Sequence, residues 1–234
     1  MRLPLRALSD RRLQSLHAAA RASVAAFARV TAEQGSLIQS WVGGAELVAL
    51  EHYPPGGVVD RRRGAQFFYH CHRADGAEHG HLHLFWHATR SGRRRHLRGQ
   101  AGWSRSAPSP LLSIGLDARG LPVSIFTVNH WVAGGYWFDA ATSLARVQRF
   151  ALHEVSGHAA SCAWVTAFVR LYEPLIARVL AARDRRLARL GAAAAALADR
   201  RVEVLSSARL DWAADLSRLE RELARRGLGS ENAS

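Results

Sequence analysis

The sequence predicts an α+β fold, with a central antiparallel sheet of at least four strands between an N-terminal helical segment and a C-terminal helical region. Three patterns predict it. Asp75-Gly76 is the pair that a type I′ hairpin turn favours, because both positions need a positive φ, and strand-like runs flank it. A second pair of runs, Leu111 to Asp117 and Leu121 to Val128, brackets Asp117-Ala-Arg-Gly120. Toward both ends of the chain, apolar residues recur every three or four positions instead, which is the period of a helix.

Taken in order, Ser9-Asp10 can cap a helix whose apolar positions are Leu13, Leu16, Ala20, Val24, Phe27 and Val30, and Gly35 ends it. A shorter helix is expected over Ala45 to Glu51, between Gly43-Gly44 and Pro54-Pro55-Gly56-Gly57. The first hairpin follows, then a long Arg/Ser/Gly/Pro-rich loop from Ser91 to Pro110 and the second hairpin. Asn129 to Phe138 reads as an aromatic, glycine-bearing loop. Helices are expected over about Asp139 to Leu152 and Ser156 to Leu171, with Pro174 kinking or restarting the latter. Leu187, Leu190, Ala194, Leu197 and Val204, then Leu216, Leu219 and Leu223, form narrow stripes on two Ala/Arg-rich helices. The chain therefore divides into an α+β core domain over residues 1–182, centred on a histidine-rich hairpin at 65–87, and a helical hairpin appendage over 183–234. The appendage stripes either dock on the core or form a homodimer seam.

Six of the twelve histidines lie between Gln66 and His87. A two-residue turn at Asp75-Gly76 opposes Arg73 to Glu78, His72 to His79, His70 to His81 and Phe68 to His83. Side chains alternate between the faces of a strand, and opposed residues share a face. One face then carries Gln66, Phe68, His70, His72, His79, His81, His83, Phe85 and His87. The other carries Phe67, Tyr69, Cys71, Leu82, Leu84 and Trp86, and is the core face.

Neutral imidazole is a common ligand for transition metals, at about 2.0–2.1 Å. Opposed Cβ atoms on a hairpin lie about 4.5–5.5 Å apart, so several imidazoles of one face can meet at one ion. His70, His72, His79 and His81 are therefore the first candidate ligands, with His83 beside them, for a divalent Zn, Fe, Mn, Ni or Cu ion. Cys71 falls on the core face, and Glu78 faces Arg73. Tyr53, Asp60 and Gln66 are expected to hydrogen-bond the ligands from outside, and Asn129, His130 and Trp131 to approach them if the hairpins are neighbours. The same face also suits a non-catalytic ligand-binding or sensor domain with a histidine-lined pocket. His153-Glu-Val-Ser-Gly-His158 has one residue too many to put both histidines on one helical face, and reads as structure.

The formal net charge is +13, and all 32 basic residues are arginine. Wholesale arginine use alongside abundant Ala and Gly is what a GC-rich coding bias produces, yet the charge still favours polyanions, including nucleic acid. Arg61-Arg62-Arg63 and Arg93-Arg94-Arg95 with Arg98 are the densest runs, read first as solvated loops and second as anion contacts. No apolar run is long enough to span a bilayer, no secretory leader is evident, and two cysteines make no disulfide framework, so a cytoplasmic location is expected.

Three resemblances add to this reading. Gly64-(x5)-His70-x-His72-(x5)-Glu78 resembles the first metal motif of the cupin barrels, with the gap before Glu78 one residue longer than theirs. His79-Gly-His81-Leu-His83-Leu-Phe85 resembles the signature of the histidine-triad nucleotide hydrolases and transferases, which implies phosphoester chemistry with His81 as the catalytic nucleophile. The widest resemblance is carried by His52-Tyr-Pro-Pro, Asp60, Gln66 to Arg73, Glu78 to His83 and Phe126 to Val132. These segments together are similar to an uncharacterised bacterial domain family of unknown function, which implies one domain with the histidine segment at its centre and no assigned reaction.

Overall fold

The computed structural model describes residues 1–71, 78–87, 108–153 and 155–228. The predicted Asp75-Gly76 turn, His72, Arg73 and the Arg93 to Arg98 run lie outside these residues. Helix α1, Asp10–Gln34, starts where the sequence places it, with the Ser9 side chain accepting from Arg12 N, and ends at Gly35, which has φ 81°. Its buried stripe includes Leu13, Leu16, Ala20 and Val30. Helix α2 covers Leu37–Val42, capped by Ser36. The helix expected over 45–51 does not form. There, Val48 N and Glu46 O are both bonded by the Tyr53 hydroxyl, which holds the segment irregular.

The sheet is a six-stranded antiparallel meander with spatial order equal to sequence order: β1 (Tyr53–Asp60), β2 (Ala65–His70), β3 (Gly80–Trp86), β4 (Ser109–Leu116), β5 (Pro122–Val128) and β6 (Val204–Arg209). Phe68 opposes His83 and His70 opposes His81, as the hairpin register requires. Phe67, Tyr69, Leu82, Leu84 and Trp86 are all buried in the hydrophobic core. At the β4–β5 turn the Asp117 carboxylate accepts from Arg119 N and Leu121 N, and Gly120 takes φ 79°.

Helix α3 is the short His130–Ala133, and α4 is Ala140–Val147, capped by Asp139. Helix α5 runs unbroken from Ala159 to Arg189 through Pro174. A proline inside a helix costs about 3 kcal/mol. The turns on either side bury Leu171, Tyr172, Leu175, Ile176 and Val179, and each such side chain contributes about 1.5–3 kcal/mol, so burial outweighs the break. The expected domain boundary near 182 falls inside this helix, one residue before the buried Arg183, whose guanidinium donates to Phe138 O and lies 4.7 Å from the Trp137 ring.

The segment expected as a two-helix appendage is instead helix, strand and helix: α6 (Ala193–Ala198), β6 and α7 (Trp212–Arg225). Val204, assigned by its spacing to a helical stripe, opens the sixth strand, because β5 presents an edge that pairs it from Val128 back to Ser124. Ser206 Oγ anchors the strand by donating to Val179 O on α5. Leu219 and Leu223 of α7 are buried within the chain, in the same core cluster as α1, so this part of the stripe docks on the core.

Asp60, at the end of β1, joins two distant parts of the chain. Its Oδ1 accepts from Arg62 N and Arg63 N, and its Oδ2 accepts from His153 N, each at 2.9 Å. Burial works against its charge, but these three N–H donors outweigh burial and hold its pKa below the ordinary 3.8. A carboxyl group whose pKa is depressed on folding adds stability above its unfolded value and loses it as pH falls through the lower folded one. Asp60→Ala is expected to cost about 2–4 kcal/mol in urea unfolding, because three donors lose their acceptor. Asp60→Asn should also flatten the loss of stability below about pH 4, and an unchanged acid limb would refute this role.

Candidate metal centre

The register of β2 and β3 puts His70, His81 and His83 on the face opposite the core, and all three are buried. Their Nε2 atoms converge: 2.8 Å from His70 to His81, 3.1 Å from His81 to His83 and 3.0 Å from His83 to His70. Ligand nitrogens bound to one ion at about 2.0–2.1 Å stand about 2.9 Å apart on an octahedral face and about 3.4 Å apart on a tetrahedron. The observed triangle matches the octahedral face. These three residues could hold a metal ion, one nitrogen from each.

The far side of two of the rings is also engaged. His81 Nδ1 lies 2.6 Å from Glu78 Oε1, and His83 Nδ1 lies 2.8 Å from Ser113 Oγ on β4. A carboxylate can only accept, so the Glu78 bond puts the proton of a neutral His81 on Nδ1 and turns the Nε2 lone pair toward the other two rings. A carboxylate behind an imidazole is a common way to orient a metal ligand and raise its basicity. Nitrogens in such mutual contact share either an N–H hydrogen from one of the rings or an ion.

Glu78 arrives here because the chain turns over just before β3. In an unbroken strand His79 would face the triad and Glu78 the core; the structure exchanges them. His79 Nδ1 is 2.7 Å from the Tyr69 hydroxyl on the core side. Burial raises the Tyr69 pKa well above the ordinary 10, with Cys71 and Glu78 adding to it, so the hydroxyl stays protonated beside His79. Two glycines make room for the exchange. A Cβ on Gly80 would collide with the Tyr69 hydroxyl, and one on Gly115 with Glu78 Oε2 and Ser124 Oγ. Ser124 Oγ itself donates to Glu78 Oε2 at 3.4 Å.

Aromatic rings border the triad. Phe126 meets His81 edge-on at 5.2 Å, and Phe68 lies 5.4 Å from His83 and 5.3 Å from Phe85. His52 stacks on Phe68 at 3.8 Å, with its centroid 5.7 Å from His70. Loss of hydration on packing there lowers its pKa from 6.5, against a weaker pull from Glu51.

Of the predicted ligands, the structure brings together His70, His81 and His83, sends His79 to Tyr69, and leaves His72 outside the described residues. His87 instead bonds Gln66 Oε1 at 2.6 Å. The expected outer partners serve elsewhere: Tyr53 binds the 46–48 segment and Asp60 the 62–63 turn. Asn129 Nδ2 and Trp131 Nε1 both donate to Val202 O, which ties α3 to the loop before β6, and His130 bonds Gly135 O just past α3. Cys71 is half-buried with no disulfide. Sequence reasoning missed Ser113 and gave Glu78 to Arg73; β4 pairing across His83 was the only signal for the serine, and it is not local.

Fold and site together define an α+β protein whose central sheet carries a buried triad of imidazoles. The chain belongs to the family described as a domain of unknown function, DUF6969, whose model matches residues 17–210 and so spans the whole sheet and the triad. No curated protein and no solved structure matches it.

The hydrogen bonds fix an expected tautomer pattern. In 15N-edited NMR of metal-free protein at neutral pH, a neutral His81 should carry its proton on Nδ1. Glu78→Ala should release His81 from that tautomer and leave His79 unchanged. A His81 proton found on Nε2 in the unaltered protein would contradict the Glu78 assignment.

Proposed function

We propose that this protein binds one divalent transition-metal ion through the Nε2 atoms of His70, His81 and His83, with Glu78 and Ser113 orienting two of the three ligands. The observation that carries the reading is the triangle of nitrogens 2.8–3.1 Å apart on a buried face. Its edge favours an ion that accepts octahedral positions, such as Fe, Mn or Ni, over tetrahedral Zn. A three-imidazole face leaves positions for a substrate or ligand, and an ion there would supply a Lewis-acidic centre. The protein's share is to hold the three nitrogens, orient His81 through Glu78, and surround them with Phe68, Phe85 and Phe126. That arrangement supports a metal-dependent enzyme, and equally a sensor domain that reads the ion or a molecule bound to it.

The same geometry favours His81 as a ligand over His81 as a nucleophile. The residue is 2% exposed, and both of its ring nitrogens already face a carboxylate or another imidazole. A phosphoryl group would have to displace one of these partners to reach it.

Protein purified without a histidine tag and reconstituted in turn with Fe, Mn, Ni, Cu and Zn is expected to retain one ion per chain by elemental analysis. His81→Ala and His83→Ala should each lose it, whereas His79→Ala should keep it. No stoichiometric metal under any condition sinks the proposal, as does equal retention in His81→Ala.

A further inference from the structure

On the other face of the sheet, at the end of β3 away from the triad, an open cavity of about 580 Å³ is ringed by Arg62, Arg63, Arg149 and Arg170 over a floor that includes Trp86 and Phe150. The four arginines come from three parts of the chain: the β1–β2 turn, the residues just after α4, and the exposed side of α5. Among the described residues none of the four makes an ion pair, although two carboxylates lie close by. Both are already used. Asp60 is saturated by the backbone N–H groups of Arg62, Arg63 and His153. Glu173 is paired with Arg12 and accepts from Gln148 Nε2.

Among the described residues Arg185 and Arg189 also make no ion pair, so what sets these four apart is that they converge on one cavity. Asp60, the carboxylate at the β1–β2 turn, accepts from backbone N–H groups and in doing so fixes that turn against the loop after α4. Two arginine-bearing segments are thereby held in place, with the guanidinium groups of Arg62, Arg63 and Arg149 outside any ion pair among the described residues. Guanidinium groups present paired N–H donors that match phosphate and carboxylate oxygens two at a time. The cavity has the size of a small-molecule site and would accept a compact anion.

We propose that this cavity is a binding site for a small phosphorylated anion, separate from the histidine triad, with Arg62, Arg63, Arg149 and Arg170 as its donors and Asp60 as the residue that positions two of them. The probe is inorganic pyrophosphate, titrated calorimetrically into the full chain at constant ionic strength. Saturable binding at one site per chain is expected, weakened at least tenfold in Arg149→Ala/Arg170→Ala. Arg185→Ala/Arg189→Ala, which removes the same charge from positions beyond the cavity, should bind as the unaltered protein does. Equal weakening in both double variants would reduce the effect to net charge and overturn the site. The site is likewise overturned by a lack of saturable binding, by undiminished binding in Arg149→Ala/Arg170→Ala, or by binding of a single-stranded oligonucleotide without pyrophosphate.

Discussion

The pairing of β2 with β3 governs everything at the triad. His70 opposes His81 and Phe68 opposes His83, so the same alternation that drives Phe67, Tyr69, Leu82, Leu84 and Trp86 into the core turns three imidazoles to the other face. Strand side chains have a period of two, so a slip by one residue would bury the histidines among helices and expose the aromatic core. Burial of those five large side chains therefore specifies the triad's geometry indirectly. Core and site are two faces of one register.

What the register alone does not provide is orientation of the rings. That comes from Glu78 and Ser113, and from two places where the sheet has no side chain. Gly80 leaves space for the Tyr69 hydroxyl, which takes His79 to the core side, and Gly115 leaves space for the Glu78 carboxylate behind His81. The small residues sit next to the functional ones, on the same strand or the neighbouring one. Their contribution is volume: each omits a Cβ where a polar group of another residue must stand.

Asp60 does at the edge of the sheet what Glu78 does near its centre. Both carboxylates accept from specific donors, and both orient other groups. Asp60 binds backbone from two segments far apart in sequence, which leaves the guanidinium groups beside it out of any ion pair with it. Glu78 binds one imidazole and leaves that ring's other nitrogen aimed at its neighbours. The same residue chemistry thus prepares a basic cavity on one side of the sheet and a ring of lone pairs on the other.

Much of this is legible in the chain itself. Ser9 and Gly35 bound α1, the Asp117 to Gly120 turn joins β4 to β5, and the β2–β3 register with its two faces follows from local chemistry, because caps, turns and period-two alternation are properties of neighbouring residues. Only the tertiary structure decided the rest. Residues 204–209 became a strand because the β5 edge needed a partner, and α5 passed through Pro174 because its flanking turns are buried. Glu78 and His79 exchanged faces because Tyr69 and Gly115, on neighbouring strands, offered one a space and the other a hydroxyl. Each of these outcomes turns on contacts between residues distant in the chain. By itself the sequence determined that imidazoles would share one face of a hairpin; the fold determined which of them meet at a point.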